Sequence, residues 1–347
     1  MTAKDLPHIP YINALDGVRA LSILLVILTH TAPLGPSAWQ LNSTAGPMGM
    51  SLFFCLSGYL IISIIHRDPD PVSFLIRRVL RIVPAVALYL VVVALVVDMN
   101  WLTVVEVMGF VTNYIYEGRS QLDAPLSHLW SLSVEMHFYI AIGLLAFLFG
   151  RRSIWFVPPA ALVITYLRIR DGIEISIETH YRVDEILAGG LLAMVHIAYA
   201  DQIRAVLKNR VLAAVLIGLA ALVWAISCHP QSGAMNYARP YLAATLVGIV
   251  MHSHLPVLHP ILEGRIAAYI ARISYALYIY HPLMIFGWMN TGSDWLRYLV
   301  KRPISYLLTL IAAHLSTYVW EARFQTLARH LVTRRREKLA LKAAAQR

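Results

Sequence analysis

Apolar residues in this chain gather into runs of about 17 to 22, separated by short clusters of Arg, Lys, Asp, Pro and Gly, and that is the length at which a helix crosses a hydrocarbon core. Such runs lie near 14–33, 46–66, 82–98, 130–150, 153–169, 183–199, 210–228, 239–254, 268–289 and 303–321. The pattern predicts an all-α polytopic membrane protein with about ten transmembrane helices. The stretch 101–116 is only moderately apolar and holds Glu106, which predicts a re-entrant or interfacial helix in place of a span. No internal repeat or low-complexity tract divides the chain, so 1–322 reads as one integral-membrane domain and 323–347 as a basic cytoplasmic tail.

Charge orients these runs. Arg67, Arg77, Arg78 and Arg81, then Arg151 and Arg152, then Arg204, Lys208 and Arg210, then Arg265 and Arg272 all fall on one side, together with Arg334, Arg335, Arg336, Lys338 and Lys342 of the tail. The positive-inside rule makes that side, and both termini, cytoplasmic. Opposite loops are mixed with acids, as in Asp98, Glu106, Glu117, Arg119 and Asp123, whereas Arg297, Lys301 and Arg302 go against the rule. Topology therefore accounts for most of the net charge of +10, and nucleic acid is not an expected partner. The tail has two readings, retention on the cytoplasmic side and contact with anionic membrane lipids. Ala20–Leu28 resembles a signal-peptide h-region, but only Lys4 precedes Arg19 and no convincing cleavage site follows, so a retained helix is expected. Cys55 lies within an apolar run and Cys228 ends another, which argues against a disulfide framework.

Candidate chemistry begins in the first run, which carries Asp16, Arg19 and His30 where an ionisable group costs at least a few kcal/mol. Eleven helical steps separate Arg19 from His30, closing to within about 20° of whole turns over roughly 16 Å, so both lie on one stripe at different depths. One reading makes Asp16 and Arg19 a polar entrance and His30 a group for proton transfer or catalysis. The other pairs Asp16 with Arg19 near the interface and leaves His30 satisfied by a carbonyl. In the predicted orientation Glu135, Arg182, Asp184 and His281 can reach the depth of His30, where a carboxylate beside the imidazole would make it a general base for a hydroxyl. A structural ion-pair network among Glu135, Arg182 and Asp184 explains the same residues. Arg78 and Arg81 share a helical face suited to phosphate oxygens, although arginines beside a span also act as topology anchors. His252, His254 and His259 cluster without carboxylate or thiolate partners, so no metal is expected.

Several stretches occur in a telling order: Leu15-Asp16-Gly17-Val18-Arg19-Ala20 with His30, Gly49 to Leu60, Arg78-x-x-Arg81, Leu129 to Tyr139, Tyr181 to Gly189, Ile273 to Pro282, and Glu321. Together they resemble the acyltransferase-3 family of integral-membrane O-acyltransferases. The resemblance implies a ten-span fold in a bacterial cytoplasmic (inner) membrane, moving an acyl group, usually acetyl, from cytoplasmic acyl-CoA to a hydroxyl of a cell-surface or secreted glycan. By that resemblance His30 is the catalytic histidine, Arg19 its motif partner, Glu135 the retained first Glu of Ser-x-x-Glu, and Arg78 and Arg81 contact the CoA phosphates. Asp16, Arg182, Asp184 and His281 are the substrate-side candidates. Met136 and His137 stand where the family usually has Glu and Gln, and Ser51 where Asp is common. Some relatives carry an added SGNH-type esterase domain; the residues after Glu321 are too few for one, and a standalone acyltransferase is expected. General-base catalysis and an acyl-imidazole intermediate both remain open. So do two other functions, a proton-coupled transporter using the same His, Arg and Glu residues and transfer to a lipid, lipid-linked glycan or small-molecule hydroxyl.

Overall fold

The computed structural model describes residues 12–115 and 125–345, and every regular element among them is helical. Lys4, Glu117, Arg119 and Asp123 lie outside the described residues. In chain order the α-helices are α1 (Ala14–Thr31), α2 (Leu41–Arg67), α3 (Pro71–Ala94), α4 (Trp101–Met108), α5 (Thr112–Ile115), α6 (Trp130–Phe149), α7 (Val157–Asp171) and α8 (Thr179–Arg182). There follow α9 (Asp184–Leu207), α10 (Arg210–Ser227), α11 (Arg239–His252), α12 (Leu258–Leu262), α13 (Arg265–Tyr280), α14 (Arg302–Leu315) and α15 (Ala322–Ala345).

Among the described residues five segments combine the length and apolarity needed to cross a membrane: Ala14–Thr31, Leu41–Arg67, Ser127–Asp171, Thr179–Leu207 and Arg210–Ser227. The third contains two helices, α6 and α7, interrupted at Gly150, whose φ of +57° sends the chain into a short 3-10 segment before α7 begins. The remaining predicted spans fall short for identifiable reasons. Helix α3 has the length but carries Arg77, Arg78 and Arg81, while α11, α13 and α14 are 14, 16 and 14 residues long. The described part of the stretch at 101–116, residues 101–115, divides into α4 and α5, eight and four residues, around Phe110 in a left-handed conformation (φ +55°). Neither piece is long enough to span.

Helices α1, α2 and α9 form the centre, with α13 against α1, α11 against α9, and α6 against α3. Glycines set how closely the central helices approach. A Cβ on Gly49 would stand 2.6 Å from the Ser22 carbonyl oxygen of α1, and the sites of Gly58 and Gly189 face the backbones of Ile186 and Cys55 across the α2–α9 interface. Small residues at a helix interface let backbones meet in a membrane where hydrophobic driving force between helices is weak. Cys55, fully buried on this contact, and Cys228 are both free thiols.

The basic tail is not a separate appendage. As α15 it packs along α3, burying Ala328 and Val332, with Arg335 paired to Asp70 (3.2 Å) and Arg336 to Asp68. Asp70 also caps α3, accepting from the Val72 amide. Losing an N-cap costs about 0.5–2 kcal/mol, whereas a half-exposed ion pair contributes up to about 1. Asp70→Ala should therefore lower the thermal midpoint more than Arg335→Ala, and both should speed trypsin cleavage after Arg334 and Arg336. Equal midpoints for the two variants would show that the cap contributes nothing.

Candidate functional site

The C-terminal end of α1 is held by Asn42 of α2, whose Nδ2 donates to the carbonyls of Thr29 (3.0 Å) and Ala32 (2.7 Å) while its Oδ1 accepts from the Leu34 amide (3.0 Å). Thr31 adds a hydroxyl bond to Tyr306 of α14 (2.7 Å). This anchoring fixes His30. Its Nδ1 lies 2.8 Å from the Val26 carbonyl oxygen, one turn back. A carbonyl only accepts, so Nδ1 carries the proton and Nε2 is left with its lone pair, the arrangement of a base. The sequence suggested an imidazole held inside the protein; the ring is instead exposed, at the wall of a cavity of about 260 Å³. Thr29, Met50, His128, Trp130, Ser176 and Arg182 line that cavity with it.

Behind His30 stand two buried histidines. His281 is 5.2 Å from it ring to ring, and His128 is 5.3 Å from His281. Both are tied to carbonyls, His281 Nδ1 to Tyr278 (2.6 Å) and His128 Nε2 to Ile279 (3.1 Å). The sequence pointed to His281 and missed His128, although His128 directly precedes the Leu129-Trp130 stretch already singled out.

Glu135 does not join this group. It accepts a hydrogen bond from Ser57 and lines a second, smaller cavity of about 50 Å³ with Arg19, Arg78, Arg81, Tyr139 and Tyr275. The shared depth expected for His30 and Glu135 fails because the 3-10 turn Ser127–Leu129 brings His128, not Glu135, to the His30 level, and Glu135 follows nearly two helical turns later. Buried Arg78 packs its guanidinium 5.6 Å from the Tyr139 ring and 5.7 Å from Phe74, and its Nε has no hydrogen-bond partner among the described residues. Asp16 and Arg19 pair at 3.8 Å, as the blander reading predicted, while Arg19 still faces the arginine cavity. Phe53 lines this cavity and Tyr278 the other; their rings stack at 5.9 Å and 11°, forming the partition between them.

Arg182 and Asp184 separate as well. Arg182 faces the His30 cavity and pairs with Glu185 (3.3 Å), whereas Asp184 turns to Arg168 of α7. Glu185 also binds Arg239 of α11 at 2.9 Å. The ion-pair network read from the sequence therefore exists, but its members are Arg168, Arg182, Arg239, Asp184 and Glu185. Arg168 and Arg239 could have been noticed as arginines within apolar runs.

The family comparison fits this frame: residues 12–319 match a family described as an acyltransferase domain. The chain belongs to the acyltransferase-3 family. Among curated relatives, a protein named "Putative O-acetyltransferase" from Staphylococcus aureus strain COL is 27% identical, over 79% of this chain and 51% of its own length. O-acetyltransferase OatA of Staphylococcus aureus strain NCTC 8325 / PS 47 is 24% identical, over 80% of this chain and 51% of its own. The chain thus spans about half the length of the curated relatives it matches. No solved structure matches it.

Two of the positions where this acyltransferase-3 member departs from the usual motif, Ser51 and His137, have local explanations. Ser51 donates to the Met48 carbonyl and accepts the Trp224 indole N–H, each at 3.0 Å, a bridge from α2 to α10. His137 bonds Thr179 at 2.6 Å and is absent from the His30 cavity wall. Glu321, the closing acid of the motif set, is buried and accepts from Ser316 at 2.9 Å. Of the histidines considered and set aside for metal binding, His252 bonds His196 (2.9 Å), and His259 accepts the Leu255 amide (2.9 Å) and packs against the His254 ring (4.9 Å). A further cavity, of about 530 Å³, is apolar and lies between α3, α14 and Trp320, lined by neither His30 nor Arg78.

Proposed function

We propose that this chain is a membrane O-acyltransferase that takes an acyl group, acetyl by preference, from cytoplasmic acyl-CoA and delivers it to a hydroxyl of a cell-surface or secreted glycan. The observation that carries the reading is the α1 stripe: His30, with Nε2 presented to one cavity, and Arg19, in a second cavity beside Arg78 and Arg81, sit eleven residues apart on a single helix. In this reading the chain forms about ten spans in a bacterial inner membrane with both termini in the cytoplasm, and the arginine cavity opens to that side.

Guanidinium groups of Arg78 and Arg81 would hold the donor's phosphates, and the pantetheine arm would run along α1 toward His30. At about 50 Å³ the arginine cavity has room for one or two waters at roughly 30 Å³ each. Passage of the thioester therefore requires Phe53 and Tyr278 to part. His30 Nε2 would then take the proton from the acceptor hydroxyl as the alcohol attacks the thioester carbonyl, with thiol as the leaving group. The test is transfer of label from radiolabelled acetyl-CoA to glycan in membranes holding the full chain; solute uptake independent of acetyl-CoA would favour a transporter.

A hydrogen bond to a charged group is worth about 1.5–3 kcal/mol, which is roughly ten- to a hundredfold. Arg81→Ala should raise KM for acetyl-CoA by that factor with kcat little changed, and Arg81→Lys should recover part of it. A fall in kcat at constant KM would remove Arg81 from the donor site.

A further inference from the structure

Arg182 is more than a generic polar wall residue. Its side chain is 4% exposed and lines the His30 cavity, where Nη2 meets Glu185 while Nε and Nη1 have no hydrogen-bond partner among the described residues. The rings of Trp130 and Phe54 lie 5.5 and 5.8 Å from its guanidinium carbon and satisfy no N–H. The surrounding network is unbalanced: three buried cations, Arg168, Arg182 and Arg239, face two buried anions, Asp184 and Glu185. Glu174 directs its Oε2 to Asn236. Within these buried ion pairs, among the described residues, one positive charge is left over, and Arg182 is the arginine of the network in the wall of the His30 cavity. A buried charge without a counterpart is costly, and a ligand that supplies the missing anion restores the balance.

We infer that the His30 cavity receives an acceptor bearing a carboxylate, held by Arg182 while its hydroxyl is presented to His30. The inference rests on reading that cavity as the acceptor site of an O-acyltransferase. About 260 Å³ is just below the range of drug-sized pockets, roughly 300 Å³ and upward, and suits a single sugar-sized group. Trp130, with Arg182 over its ring, adds aromatic surface to the wall, Ser176 adds a hydroxyl, and Thr29 adds a hydroxyl oxygen whose proton is given to the Asn42 carbonyl. A permanent anion fits a permanent cation here better than a purely transient oxyanion, because the excess charge exists before any reaction begins.

The experiment uses the full chain in nanodiscs and matched probes that differ in one group, p-nitrophenyl glucuronide against glucoside and galacturonide against galactoside. Equilibrium dialysis without acetyl-CoA should give at least tenfold tighter binding of one acidic sugar over its neutral twin. Arg182→Gln should abolish that difference, and Arg182→Lys, which keeps a cation for Glu185, should retain part of it. Equal affinity for acidic and neutral probes in the unmodified protein, or no binding of either, overturns the inference whether or not Arg182→Gln folds. Label transfer from acetyl-CoA is scored separately. Transfer without acidic preference leaves the O-acyltransferase reading and removes the carboxylate; acidic preference without transfer does the reverse. An Arg182→Gln variant that loses kcat equally for both sugars and keeps the binding preference reassigns Arg182 to the transition state and also overturns the inference.

Discussion

Replacing His30 by Ala or Gln should abolish acyl transfer, a loss of about a hundred- to ten-thousandfold if the ring acts as a general base and a complete loss if it carries the acyl group. The size of the effect follows from the ring's position. It shares the cavity wall with Arg182 and is exposed there while His128 is buried, and its Nδ1–H is committed to Val26, which leaves Nε2 to the substrate. The same geometry makes the variant a clean test. His30 is exposed to the cavity and its hydrogen bond is internal to α1, so its removal opens no buried void, and the thermal midpoint and membrane yield should be unchanged. Rapid quenching with labelled acetyl-CoA in the absence of acceptor separates the two mechanisms: label on the His30 peptide means an acyl-imidazole, and its absence means direct transfer. A His30→Ala protein that transfers at a rate close to the unmodified chain would end the reading of this cavity as a catalytic centre.

The same helix shows what a one-dimensional reading can and cannot see. Hydropathy gave the helical class, and the 3.6-residue period placed Arg19 and His30 on one stripe of α1, where the structure has them facing two cavities with the Phe53–Tyr278 stack between them. Those are relations within one helix. Depth arguments between helices were less successful, because a shift of a few residues at a helix start moves a side chain by several ångströms. The turn at Ser127–Leu129 does this to α6, lifting His128 to the level of His30 and leaving Glu135 with Arg78 and Ser57. Arg182 and Asp184 illustrate a second limit. They are two residues apart at the break between α8 and α9, and that break sends one to the cavity and the other to Arg168 on α7. Span counting met a third, since α11 and α13 are too short and α3 too charged to register by length and apolarity alone.

Gly58→Ala and Gly189→Ala should each prevent accumulation of folded protein, the largest stability effects expected in the chain. Removing a helical glycine normally stabilises by about 0.5–1 kcal/mol, because Gly loses the most backbone freedom on folding. Here the sign is reversed by contact. A Cβ on Gly58 overlaps the Ile186 carbonyl and one on Gly189 overlaps the Cys55 carbonyl, so the obstruction on each side is backbone and no side-chain rotation relieves it. Overpacking against movable side chains costs about 1–3 kcal/mol, and separating two central helices costs more, since Cys55, Ile62, Ile186 and Ala193 lose their contacts together. Gly218→Ala supplies the control: it lies in α10, where an added Cβ meets nothing within 4 Å, and should leave the protein unchanged or slightly stabilised. Detergent-solubilised yield and thermal midpoint of the three variants measure this directly. If Gly58→Ala and Gly189→Ala behaved like Gly218→Ala, the α2–α9 interface could not be as close as described, and the positions of Arg182 and His30 that depend on it would have to be redrawn.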